Sequence, residues 1–241
     1  MNLRIQDERG YNQIFRAEGA TRVRMQRRYQ WFADRAKECS ARRILEIGCG
    51  AGDAAMAIAR STGAEVVAID ISEVFLSQAR AATAPVNLSF RKFDLLSDDL
   101  TTLGRFDLVF GNGILHHLVA RLPAVLMALH RLTTPAGGMA FIEPNLMNPY
   151  CSFIFRTRIG RKWASLEPAE MAFRAADLRR MVEEAGWQDV ELTTKDFLVP
   201  GIPMGLVKPV LTVEPILEGT SLTRWLAQSH FLTANAKSKS R

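Results

Sequence analysis

The stretch Arg43-Ile-Leu-Glu46-Ile-Gly48-Cys-Gly50-Ala-Gly52-Asp53 constrains the fold more than any other part of the chain. A short apolar run, Ile44 to Ile47, meets three glycines at alternate positions, and an amphipathic helical pattern follows from Asp53 to about Ser61. Glycine suits such a turn because the backbone bends tightly and a ligand approaches where a Cβ would clash. The helix that opens onto the turn presents unsatisfied N–H groups to ligand oxygens. A strand, turn and helix of this kind point to a nucleoside cofactor. The dinucleotide spacing Gly-x-Gly-x-x-Gly is excluded, because its third glycine would fall at Asp53.

The surrounding pattern agrees with a parallel α/β sheet. Strand-like and helical segments alternate: strand 42–48, helix 53–62, strand 65–70, helix 73–82, strand 87–92, strand 106–111, helix 118–132 and strand 138–143. A helical pattern over 12–39 precedes them, with Ile14, Phe15, Val23, Met25, Trp31 and Phe32 as an interrupted apolar stripe. After Glu143 the alternation breaks over 144–172, a length that reads as a functional lid. A helix from Ala175 to Ala185 follows, ended by Gly186, then a strand from Asp189 to Thr194 and a last strand from His230 to Ala234. Two final strands after that helix suit an antiparallel edge hairpin, with the proline-bearing insertion 198–228 as its oversized turn. At 241 residues and 48% hydrophobic, the chain can bury one core and reads as a single domain. Its expected parts are a helical cap at 1–41, a cofactor core at 42–143, the insertions 144–172 and 198–228, and a last strand within 229–236.

Asp70 ends the second strand, where a carboxylate can accept both ribose hydroxyls of a nucleoside lying over the turn. Ser72 is the better candidate for the cap of the following helix.

The Glu-x-Gly-x-Gly-x-Gly pattern of Glu46, Gly48, Gly50 and Gly52 resembles the first motif of the class I S-adenosylmethionine-dependent methyltransferases of small-molecule type. The resemblance implies a Rossmann-like, seven-stranded, mostly parallel α/β sheet with an antiparallel edge hairpin, and S-adenosyl-L-methionine as cofactor. It places Glu46 toward the ammonium of the cofactor's methionine end, and counts Cys49 in the turn and Ile71 after Asp70 with the cofactor site. Asp94 matches an acid that meets the adenine amino group, with the backbone N–H of Leu95 at the ring. Gly111 and Asn112 match positions whose backbone meets the methionine part. The segment Leu115-His116-His117-Leu118 resembles the opening of the next helix in these enzymes, where histidine recurs at the place of His117. Imidazole suits proton transfer near neutrality, so His117 and His116 are the catalytic candidates. The acceptor implied is a small or medium-sized, partly apolar molecule methylated at oxygen, such as a lipid-linked or secondary-metabolite compound. The apolar insertion 198–228 is expected to line the acceptor pocket or to form a dimer surface.

The net charge of +6 owes much to Arg16, Arg22, Arg24, Arg27, Arg28, Arg35, Lys37, Arg42 and Arg43, with a second cluster at Arg156, Arg158, Arg161 and Lys162. Such runs are read first as wet helix faces, and second as patches for nucleic acid or anionic lipid. The basic charge makes an RNA methyltransferase the rival enzyme reading, opposed by the absence of a recognisable RNA-binding appendage, and a non-catalytic cofactor-binding partner protein is the other. Asn148-Pro149-Tyr150 is similar to a motif of amino-group methyltransferases but follows the wrong strand. Phe153, Phe155 and Trp163 suit either a base-stacking surface or a lid packed on the sheet. Three scattered cysteines and four histidines show no ligand spacing, so no metal site is expected. The charged start and the lack of a long uncharged apolar run favour a cytoplasmic protein without a spanning helix. The end, Lys237 to Arg241, reads as a solvated tail.

Overall fold

The computed structural model describes residues 19–199 and 201–237. The elements are α1 (Gly19–Glu38), β1 (Arg43–Ile47), α2 (Asp53–Thr62), β2 (Glu65–Asp70), α3 (Glu73–Ala81), β3 (Leu88–Lys92), β4 (Phe106–Asn112), α4 (Leu122–Leu132) and β5 (Thr133–Pro144). Then follow α5 (Pro149–Arg156), α6 (Arg158–Trp163), α7 (Ala175–Glu184), β6 (Gln188–Lys195), α8 (Met204–Gly219), α9 (Ser221–Arg224) and β7 (Ser229–Asn235). The sheet runs β3-β2-β1-β4-β5-β7-β6. The first five strands are parallel, and β7 is antiparallel to both β5 and β6. The expected Rossmann-like sheet with its edge hairpin is what the chain forms.

Strand alternation divides the core in two. Leu45, Ile47, Val109 and Phe141 face α4 and α7, while Ile44, Val66, Phe110 and Ile142 face α1 and α2. Nearly continuous apolar strands are the mark of a sheet covered on both sides. Strand order reverses between β1 and β4, which opens a crevice at their carboxyl ends, where open α/β sheets bind ligands.

Three local expectations need correction, and a fourth can be followed only in part. The first part of the helix expected over 12–39 lies outside the described residues, which begin the helix at Gly19. The helix expected from 118 begins at Leu122, after two short 3₁₀ turns at Leu115–His117 and Val119–Arg121. The strand expected from 138 begins at Thr133. Both insertions are largely helical. Asn148 caps α5 by accepting from the backbone N–H of Cys151 at 3.0 Å, so Asn-Pro is a helix start here. Pro209 and Pro215 sit inside α8, where an interior proline normally breaks a helix. Tertiary anchoring outweighs that cost: Val207 packs with Leu198 and Ala20, and Glu214 accepts from the Phe197 N–H at 2.8 Å and from Arg27.

His230 on β7 lies in the core as a satisfied neutral side chain. Its Nε2 meets the Phe173 carbonyl at 3.1 Å and its Nδ1 meets the Thr194 hydroxyl at 3.0 Å. Burial lowers its pKa from 6.5 to about 4, against the opposing pull of that carbonyl and of Glu143. Between those values the unfolded chain binds a proton that the native chain refuses. Stability from this residue is therefore complete above pH 6.5 and is lost as pH falls toward 4, by about 3 kcal/mol. Urea unfolding at pH 7 and pH 4.5 should show the loss, and His230→Gln should flatten that slope even if it lowers stability at pH 7.

Candidate active site

The crevice holds a cavity of about 350 Å³, walled by Gly48, Gly50 and Ala51, by Asp70 and Ile71, by Phe93 to Leu96, and by Asn112 to Ile114. His117, Leu118, Glu167 and Glu170 close its far end. Loops after β1, β2, β3 and β4 thus converge on one volume, although their residues are widely separated in sequence.

The glycine turn is built as its spacing implies. Gly48, Gly50 and Gly52 have φ of 63°, 52° and 82°, a region that L side chains rarely adopt. A Cβ on Gly48 would lie 2.4 Å from Ile114 Cδ1, so this glycine lets the β1 and β4 loops meet. A Cβ on Gly50 would meet nothing within 4 Å, which leaves open space beside the cavity. Cys49 is buried, and burial pushes its thiol up, so it lines no wall and stays protonated.

Asp70 Oδ2 accepts from the Gly50 N–H and Oδ1 from the Ser72 N–H, both at 2.9 Å. The carboxylate therefore braces the turn while facing the cavity, and Ser72 takes the cap of α3. Asp94 Oδ1 accepts from the Leu96 N–H at 2.9 Å, and both Asp94 and Leu95 line the wall. Asp70→Ala should weaken cofactor binding by about tenfold to a hundredfold, the loss of roughly 1.5–3 kcal/mol from a charged hydrogen-bond acceptor. Unchanged affinity in calorimetry would remove Asp70 from the ribose position.

Glu46, expected toward the ammonium of the cofactor's methionine end, does not itself line the cavity. It lies beneath the turn, 2% exposed, and accepts from the backbone N–H of Ala55 in the first turn of α2. Its Oε2 has no hydrogen-bond partner. Burial, opposed by the Ala55 bond, raises its pKa well above the ordinary value. A carboxyl buried with one oxygen unsatisfied is costly unless a cation or donor meets it. Because its folded pKa is raised, this carboxyl destabilises the cofactor-free protein increasingly as pH rises above the ordinary carboxylate range. Glu46→Gln should raise the melting temperature of the free protein at pH 7 and weaken cofactor affinity; a lower melting temperature with unaltered affinity would make Glu46 purely structural.

The two histidines part company. The buried Glu143, at the end of β5, accepts from the N–H groups of Ile114 at 3.0 Å, Leu115 at 2.7 Å and His116 at 3.2 Å, and its Oε2 lies 2.9 Å from His116 Nδ1. It caps the 3₁₀ turn and immobilises the His116 ring behind the wall. His117 is in the wall, with Nδ1 3.1 Å from Glu170 Oε1. Burial alone would raise the Glu170 carboxyl, but its hydrogen bond to His117 and the charge there outweigh burial and hold it below the usual range. Among the described residues, His116, His117 and Glu170 also bring ligand atoms within 4.8 Å of one another, a set able to hold a metal ion that sequence spacing did not suggest.

Three more residues escaped the sequence. Glu143 and Glu170 were strand-end and insertion acids without a motif. Arg28, taken for a wet face, has a side chain only 11% exposed and a pKa lowered by burial and by Arg24 to about 10, so it remains a cation. It donates to Asn112 Oδ1 at 3.2 Å and to Asp196 Oδ2 at 2.9 Å, which brings a positive charge to the end of β4, beside the place expected for the methionine carboxylate. Gly111 is packed rather than open, since a Cβ there would lie 2.5 Å from Ile114 Cγ2, and only Asn112 reaches the cavity. Among the described residues of 198–228 none lines this cavity, and that insertion packs on α1 through Leu198 and Val207.

A methyltransferase-domain model matches residues 45–140, the span that carries the glycine turn, Asp70, Asp94 and the histidines. The chain is 31% identical over 175 residues to a ubiquinone biosynthesis O-methyltransferase of Thiobacillus denitrificans, covering 69% of this chain and 72% of that protein. It is 27% identical over 170 residues to a tRNA U34 carboxymethyltransferase of Idiomarina loihiensis, covering 68% of this chain and 51% of that protein. Among solved structures, an S-adenosylmethionine-dependent methyltransferase from Archaeoglobus fulgidus has a TM-score of 0.58 at 17% identity, covering 86% of this chain and 94% of that one. The chain spans about half the length of several curated relatives it matches. The chain belongs to the class I S-adenosylmethionine-dependent methyltransferases. Its cofactor is S-adenosylmethionine, and the site fits it: an open glycine turn, two wall carboxylates, an unsatisfied buried carboxyl and a buried cation.

Proposed function

We propose that the chain transfers a methyl group to an oxygen of a small or medium-sized, partly apolar acceptor. The observation that carries this is the lining of the cavity, where the His117 imidazole, braced by Glu170, shares the wall with the apolar Ile114, Leu118 and Val125. The bound cofactor supplies an electrophilic methyl on a sulfonium. Apolar wall groups hold the acceptor and keep water out, and alignment of this sort can contribute up to roughly 7–11 kcal/mol. With the cofactor held over the glycine turn, His117 would accept the proton that the acceptor hydroxyl gives up as it takes the methyl group. The ubiquinone-pathway relatives favour a phenolic, lipid-linked acceptor. Incubation with labelled S-adenosylmethionine and a panel of prenylated phenols, soluble phenols and structured RNA tests the reading. Label appearing as a base-stable methyl ether on the prenylated compounds is expected; label on RNA alone would overturn it.

A further inference from the structure

The surface of the two insertions is poorly explained by folding alone. Helices α5 and α6 bury Cys151, Ile154 and Phe155 in a small cluster of their own, which accounts for the inward aromatic. Phe153, Ile159 and Trp163 point outward, with Ile159 75% exposed. The second insertion repeats the pattern: among the described residues of α8 only Val207 and Glu214 are buried, while Ile216 and Leu222 are 69% and 84% exposed. Asn145 donates to the carbonyls of Trp225 and Ala227, and Asn148 to that of Leu226, so the two insertions are joined beside the exposed Met147 and Trp225.

Charge on these segments is sorted by side. Every acid of the two insertions turns inward: Glu167 and Glu170 line the cavity, and Glu214 and Glu218 accept from the backbone N–H groups of Phe197 and Asp196. Arg161 also turns inward, onto the carbonyls of Phe155 and Glu170. The exposed charges that remain are basic: Arg156, Arg158, Lys162, Lys208 and Arg224. Exposed aliphatic groups, two tryptophans and an uncompensated basic set are what an anionic membrane surface binds: apolar groups enter the headgroup boundary while lysine and arginine meet lipid phosphates. Nucleic acid would use the bases and aromatics but leave Ile159, Ile216 and Leu222 in water. No helix among the described residues is long and apolar enough to cross a membrane, so the contact is peripheral.

We propose that the outer surface of the two insertions docks the protein on an anionic lipid bilayer. The same segment that carries Ile159 and Trp163 carries Glu170 at the cavity and Phe155 against the His116 ring, so docking brings the acceptor end of the cavity toward the lipid. The inference stands on the surface itself, and membrane partition is read apart from methyl transfer.

Co-sedimentation with vesicles of phosphatidylcholine plus phosphatidylglycerol, and of phosphatidylcholine alone, is the test. Binding is expected to the anionic vesicles only, and to weaken as salt is added. The triple variant Arg156→Gln, Arg158→Gln, Lys162→Gln should lower partition by roughly fivefold per residue, on the order of a hundredfold together. Ile159→Ser with Trp163→Ser should lower it as well, and calorimetry should find cofactor affinity intact in both variants. Absence of binding to anionic vesicles at low salt, or unchanged partition of the triple variant, would overturn the proposal. So would a dimer in sedimentation that Ile216→Ser and Leu222→Ser dissolve while vesicles are ignored, or RNA binding that vesicles do not displace.

Discussion

Replacing His117 by alanine is expected to lower kcat by about a hundredfold to ten-thousandfold, the contribution of a positioned proton acceptor. Affinity for S-adenosylmethionine should stay nearly intact, because the contacts expected for the cofactor are at Gly50, Asp70, Asp94 and Asn112, on the other loops that line the cavity. Glu170→Gln should reproduce a smaller part of the loss, since it keeps a hydrogen-bonding group near His117 Nδ1. His116→Ala should behave differently: it leaves Glu143 Oε2 with only the backbone N–H of residue 116 and is expected to loosen the turn, with loss of stability accompanying loss of rate. Steady-state rates and cofactor calorimetry on the three variants separate the roles. Full rate in His117→Ala on the true acceptor would leave catalysis to alignment alone.

The largest stability effect is expected at Asp196. Its Oδ2 accepts from Arg24 Nε at 2.6 Å and from Arg28 Nη2 at 2.9 Å, and all three side chains are nearly enclosed. Burial alone would raise this carboxyl, but the two guanidinium groups hold it below its usual range. Asp196→Ala leaves both cations in the interior without their counter-charge, a change that costs about 3–5 kcal/mol. It also places alanine at a φ of 81°, whereas Asn tolerates that region, so Asp196→Asn isolates the charge from the backbone. Urea unfolding should show the full loss for Ala and a part of it for Asn, with weaker cofactor binding in both because Arg28 is released from Asn112. A loss below about 1 kcal/mol would mean that the cations relax to water at little cost.

Local chemistry carried much of the fold into the sequence. Alternating β and α patterns, three glycines at positions that need positive φ, and acids at the ends of β2 and β3 act over a few residues, and each could be read without knowing the rest. The insertions could not be read that way. Pro209 and Pro215 signal breaks by propensity, yet they lie inside α8 because its packing on α1 outweighs that local preference. The site divides along the same line. Gly50, Asp70, Asp94, Asn112 and His117 could be expected around one cavity because each lies at a strand end or in the loop that follows one, and those positions follow from the pattern. Arg28, Glu143 and Glu170 were not, since their roles come from where distant elements meet: α1 against the end of β4, β5 beside the 3₁₀ turn, and the first insertion over the cavity. Burial is a property of such meetings. The same arginines that read as a solvated face in one dimension become, once α1 is packed, enclosed cations that need Asp196 and reach the cofactor site.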